Sequence, residues 1–80
     1  MTRLHLDAGR QHGVRPQDIV GSFTAEASIP GSAIGTIDLY DDFALVEVQR
    51  TAARKVLDRA ADLSLRGRDV HVTKARPTRR

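Results

Sequence analysis

The chain has 80 residues, enough for one small domain with a modest two-layer core. It contains no cysteine, which excludes disulfides and thiolate metal sites, and it shows neither an apolar run of membrane-spanning length nor a signal-peptide pattern, so a reducing cytoplasmic setting is expected. The net charge of +3 is unevenly spread: residues 66–80 carry six cations against Asp69 alone, a net of +5, and residues 1–65 sum to −2. Either a polyanion such as RNA meets that basic end, or the end is simply a solvated tail.

Arg3-Leu4-His5-Leu6-Asp7 alternates and reads as a first strand with Leu4 and Leu6 inward. Residues 8–14 hold Gly9 and Gly13 and read as a loop. Pro16 suits the first position of a helix, where a missing N–H costs nothing, and Asp18 suits its first turn, near the positive end of the helix dipole. Ile19, Val20, Phe23 and Ala27 follow at helical spacing, and the helix should stop before Ile29-Pro30-Gly31. A second strand is expected over residues 34–40, with Ile37 and Leu39 inward and Asp38 and Tyr40 outward. Asp41-Asp42 turns it into an antiparallel third strand, in which Ala44, Val46 and Val48 face the core while Phe43, Leu45 and Glu47 face out.

A second helix is expected over about residues 51–62, with Thr51 as N-cap and Ala53, Val56, Leu57 and Ala60 as its buried face. Leu65 plugs the core and Arg66-Gly67-Arg68 turns the chain. Val70 and Val72 point inward from a last strand that leaves His71 and Thr73 outside. The domain then covers 1–75, and 76–80 form a basic disordered tail. The resulting order, β-α-β-β-α-β, defines an α+β ferredoxin-like plait: a four-stranded antiparallel sheet backed by two helices, with its other face open.

Residues 41–48 lie close to the third-strand motif of RNA recognition domains, Lys/Arg-Gly-Phe/Tyr-Gly/Ala-Phe-Val-x-Phe/Tyr. Phe43, Ala44 and Val46 match it, Leu45 and Val48 replace aromatics, and Asp41 and Asp42 stand where the basic residue and glycine would be. Along the whole chain, five blocks follow one another in order. They are Asp7-Ala8-Gly9-Arg10; Gly13-Val14-Arg15-Pro16-x-Asp18-Ile19-Val20-Gly21; Ile29-Pro30-Gly31-x-x-Ile34-Gly35-x-Ile37-Asp38; Phe43-x-x-Val46-Glu47-Val48; and Arg66-Gly67-Arg68-x-Val70-x-Val72. Together, over about residues 2–75, they resemble the DbpA-type RNA-binding domain found at the C-terminal end of certain bacterial DEAD-box RNA helicases.

The resemblance implies an atypical RNA recognition motif that tethers the helicase core of the same parent chain to structured RNA. In the best-known branch of the family that RNA is a hairpin of large-subunit ribosomal RNA; in the cold-shock branch targeting is broader. The Gly-rich Lys-Ser/Thr nucleotide loop is absent from these residues, so the chain itself is expected to be no enzyme and to hold no cofactor. His5, His12 and His71 lack metal-ligand spacing. The isolated domain is expected to be monomeric.

Three groups of residues are candidates for RNA contact. His5, Tyr40 and Phe43 belong to the open sheet face, where His5 and Phe43 occupy the places of the base-stacking aromatics of RNA recognition domains. Asp38 and Glu47 on the same face repel phosphate, and Leu45 cannot stack. Arg66, Arg68, Lys74 and Arg76 suit phosphate contacts around the glycine turn and past the last strand. Arg10 and Arg15, with His12, surround Gly9 and Gly13 just before a helix N-terminus, a natural phosphate seat if its N–H groups are free. Arg50, Arg54, Lys55 and Arg59 read as a solvated helix face, with Asp58 at i, i+4 from Arg54. A competing reading keeps the fold without RNA binding and makes Phe43 and Leu45 a protein-docking patch.

Overall fold

Strand alternation and helical spacing account for most of the elements in the computed structural model, which describes residues 1–60, 63–65 and 67–75. Its strands and α-helices are β1 (Thr2–Leu6), α1 (Pro16–Glu26), β2 (Ile34–Leu39), β3 (Ala44–Val48), α2 (Arg50–Asp58), β4 (Ser64–Leu65), β5 (Arg68–Asp69) and β6 (Val72–Lys74). The order in the main sheet is β2-β3-β1-β6, and every pairing in it is antiparallel. Both helices lie on one face, so the ferredoxin-like plait expected from the sequence is the observed fold.

Period-two alternation explains which side each residue takes. Leu4, Leu6, Ala44, Val46 and Val48 are buried against Ile19 and Phe23 of α1 and Ala52, Ala53 and Val56 of α2. Asp41-Asp42 makes the expected two-residue turn: the Tyr40 N–H donates to the Phe43 carbonyl at 2.9 Å, and Leu39 stands opposite Ala44 in the register. A register shift between Ile34 and Ile37 interrupts the β2–β3 ladder near its far end.

Three expectations need correction. The second helix begins at Arg50, not after a Thr51 cap, because the Gln49 carbonyl already accepts the Ala53 N–H at 2.8 Å. It ends at Asp58, and positions 61 and 62 of the expected span lie outside the described residues. Its buried face is Ala52, Ala53 and Val56, with Leu57 and Ala60 only half-buried. The last strand begins at Val72, not at Val70. Before it, β4 and β5 pair into a small second sheet around Gly67, whose φ of 77° suits glycine. Leu63, Leu65 and Val70 are buried there, and the Val70 N–H donates to the Leu63 carbonyl at 3.3 Å. Arg66 and the tail at 76–80 lie outside the described residues.

Gly9 sets how the first loop meets the sheet. The Arg10 N–H donates to the Tyr40 carbonyl at 2.8 Å and the Gln11 N–H to the Asp41 carbonyl at 3.0 Å. A Cβ on Gly9 would collide with the Tyr40 carbonyl and lie 2.7 Å from both the Asp41 carbonyl and the Phe43 amide. Urea denaturation should therefore show Gly9→Ala losing about 1–3 kcal/mol through overpacking. Gly21→Ala, in α1 with nothing within 4 Å of the new Cβ, should instead gain up to about 1 kcal/mol from helix propensity. Equal effects at the two glycines would contradict this account.

Candidate nucleic-acid interface

The open face of the sheet carries a column of three rings. Strand parity puts Tyr40, Phe43 and His5 on the same side, and the strand order puts Phe43 in the middle. The Tyr40 and Phe43 centroids are 4.6 Å apart with planes 17° from parallel, and His5 and Phe43 are 5.3 Å apart at 14°. These spacings follow the distance between neighbouring strands, about 4.8 Å. Tyr40 is 43% exposed, while Phe43 and His5 are half-buried.

Beside this column lies Arg3, which sequence reasoning passed over. It stands opposite Glu47 in the β1–β3 register, and its Nη2 donates to Glu47 Oε2 at 3.3 Å. The phosphate repulsion expected from Glu47 is thus locally offset. The readable signal was Arg3 at i−2 from His5, on the same face of one strand. A shallow depression on this face is lined by Arg3, His5, Tyr40, Phe43, Leu45 and Thr73, among others.

The first loop differs from the expected phosphate seat. The amides of Arg10 and Gln11 are engaged by the Tyr40 and Asp41 carbonyls, and Gln11 Nε2 donates to Asp42 Oδ1. At the start of α1 the Asp18 carboxylate accepts the Arg15 N–H at 2.9 Å, so an acid already occupies the helix N-terminus. The side chains of Arg10 and Arg15 remain at the surface. Arg10 Nη2 donates to the Leu39 carbonyl at 2.6 Å, which brings its guanidinium to the end of β2 beside Tyr40.

Of the residues singled out in the sequence, His5, Tyr40 and Phe43 come together, with Arg10 at the edge of the same face, whereas Lys74, the register partner of core-facing Leu4, is exposed on the helix side of edge strand β6. Arg68 stands apart on β5, in the hairpin packed against α1, and Arg15 at the head of α1. Arg66 and Arg76 lie outside the described residues. Arg50, Arg54 and Lys55 are exposed along α2, and Arg59 is exposed just past its end, as a solvated face requires. Among the described residues no three of His, Asp or Glu gather as a metal site, and no helix is long and apolar enough to cross a membrane.

Comparison with known proteins gives a consistent picture. The family described as DbpA RNA binding domain matches residues 3–74. The ATP-dependent RNA helicase DeaD of Haemophilus influenzae is 34% identical over 61 residues, which are 76% of this chain and 10% of that protein. The ATP-dependent RNA helicase DeaD of Buchnera aphidicola is 28% identical over 67 residues, 84% of this chain and 11% of that protein. An uncharacterized protein of Treponema pallidum is 28% identical over 75 residues, 94% of this chain and 33% of that protein. The chain thus spans about a tenth of the length of the helicases it matches.

Two carboxylates fix the segment that bears Arg68 and Lys74. Asp7 Oδ1 accepts the His71 N–H at 2.8 Å, and Asp7 Oδ2 lies 3.1 Å from His71 Nδ1. Partial burial pushes the Asp7 carboxyl up, but the His71 amide and ring together outweigh it and hold the group below its ordinary value. Glu26 Oε1 accepts the Ser64 N–H at 3.1 Å and the Ser22 hydroxyl at 2.8 Å. Those bonds, the Ser64 amide first, hold Glu26 below its ordinary value as well. Groups lowered in this way stabilise the fold above their unfolded pKa, and the contribution is lost as pH falls through the folded value. Stability measured by urea should therefore drop as pH falls from about 5 to about 2. A variant carrying Asp7→Asn and Glu26→Gln should drop less steeply; an equal slope would show that these carboxylates do not anchor the segment.

Proposed function

Since the chain belongs to the DbpA RNA binding domain family, we propose that it is the noncatalytic RNA-binding module of a DEAD-box RNA helicase, tethering the helicase core to structured RNA. The observation that carries this reading is the family match over residues 3–74, nearly the whole of the plait. In this reading the domain spans 1–75, ATP-driven unwinding belongs to the rest of the parent protein, and the complex works in the cytoplasm on a ribosomal RNA hairpin. Arg10, Arg15, Arg68 and Lys74 contact phosphates, joined by Arg66 and Arg76. His5, Tyr40 and Phe43 belong to the sheet face that meets unpaired bases. Exposed arginines around a partly apolar, aromatic sheet support this division between positioning and base contacts.

A second reading has its own support. Phe43 and Leu45 line one shallow depression on the open sheet face, a partly apolar surface that suits protein docking. Amide shift mapping separates the two: in the first reading RNA perturbs the cationic residues, and in the second RNA perturbs nothing while a protein partner perturbs the sheet.

The quantitative test is salt dependence. Affinity for a ribosomal RNA hairpin should fall between about 50 mM and about 200 mM salt as counterions are released. Replacing Arg68 and Lys74 by Gln should reduce the slope of log K against log salt by about 2, roughly 1 for each phosphate that is no longer neutralised. Absence of binding at low salt by the folded chain would reject RNA tethering; an unchanged slope would reject a role for these two cations.

A further inference from the structure

We propose that Tyr40 carries a stacking site for a single unpaired nucleobase at the free edge of β2, and that Arg10 holds the phosphate of the same nucleotide. The proposal rests on the RNA-binding reading above and adds to it where, and how many, bases are held.

An aromatic side chain binds a base through an open ring face. Phe43, at the place of a platform residue, has neither face open: Tyr40 lies against one and His5 against the other, both within 17° of parallel. His5 turns its second face towards β6, where Thr73 is its register partner. The Cβ atoms of residues directly opposite one another in a sheet stand only about 4.5–5.5 Å apart, so the Thr73 side chain stands beside that face. Tyr40 differs because β2 is the outermost strand, and among the described residues no further strand pairs with it. Its outer face closes the column towards solvent, in keeping with its 43% exposure. A base placed there extends the stack by one ring, since Tyr40 has one outer face.

Arg10 supplies the charge at the same edge. One guanidinium N–H is fixed on the Leu39 carbonyl at 2.6 Å, and the backbone N–H of Arg10 holds the Tyr40 carbonyl at 2.8 Å. The guanidinium carries five N–H donors, so the rest of its fork remains for a phosphate beside Tyr40. Gln11 engages the Asp42 carboxylate, which draws one of the two turn acids into the loop. The site requires an unstacked base and therefore selects loops and single strands over uninterrupted duplex.

The chain provides its own probe, for Tyr40 is its only tyrosine and it has no tryptophan. The 80-residue chain is titrated with a single-stranded oligoadenylate and with a blunt RNA duplex of equal length. Binding is followed by anisotropy of labelled RNA and, in parallel, by tyrosine emission corrected for RNA absorption. Oligoadenylate should quench the emission in step with binding, and the duplex should not. Tyr40→Leu keeps Phe43 covered but removes the aromatic face; it should weaken oligoadenylate binding about 5- to 100-fold and leave duplex binding within about twofold. Tyr40→Phe should bind as wild type. Arg10→Gln should cost less in the Tyr40→Leu background than alone, because both residues act on one nucleotide. Oligoadenylate binding without quenching, or wild-type affinity in a folded Tyr40→Leu variant, would overturn the site while leaving RNA binding intact. Should Tyr40→Leu not fold, the emission of the wild-type chain decides alone. A chain that binds neither RNA would remove the functional reading itself.

Discussion

The close approach of the first loop to the β2–β3 turn organises one end of this domain. Without a side chain at Gly9, the amides of Arg10 and Gln11 reach the carbonyls of Tyr40 and Asp41. That pair of hydrogen bonds seats the loop on the turn, sets Tyr40 and Phe43 at the mouth of the hairpin, and brings the Arg10 guanidinium to the Leu39 carbonyl. The same arrangement occupies the amides that a phosphate would otherwise find in this loop. Local backbone pairing thus moves the available chemistry from N–H groups to side chains.

The sheet face that results is mixed in character. It has aromatic surface, but most of that surface is turned inward within the column. It has acids, but Glu47 is matched by Arg3 across the strand pair. An exposed pair of this kind contributes at most about 1 kcal/mol to stability, so its main effect is on the local field. The cations are spread over several surfaces, with Arg68 carried by the small hairpin against α1 and Arg15 at the head of that helix.

Much of the architecture could be read from residue patterns. Ala44, Val46 and Val48 alternate cleanly, and Pro16 with Asp18 marks the start of α1, because these signals are local and periodic. The β4–β5 hairpin escaped notice because two-residue strands show no period; only the buried pair Leu63 and Leu65 around Ser64 hinted at it. The start of α2 was misplaced because Gln49, with no capping side-chain bond, serves through its carbonyl alone. At the interface, His5, Tyr40 and Phe43 were assigned to one face from parity. That they stack on each other depends on register and rotamer, which composition does not reveal. The Arg3–Glu47 match likewise needs the strand pairing to be known.

The irregular ladder near Ile34 gives the outer strand an uneven rim. A straight, unguarded rim would invite a strand of another molecule to zip alongside it. Here the rim is kinked at one end by the register shift and latched at the other by a guanidinium on Leu39. A neighbouring copy of the domain therefore finds no unbroken row of backbone groups along this rim on which to add a strand.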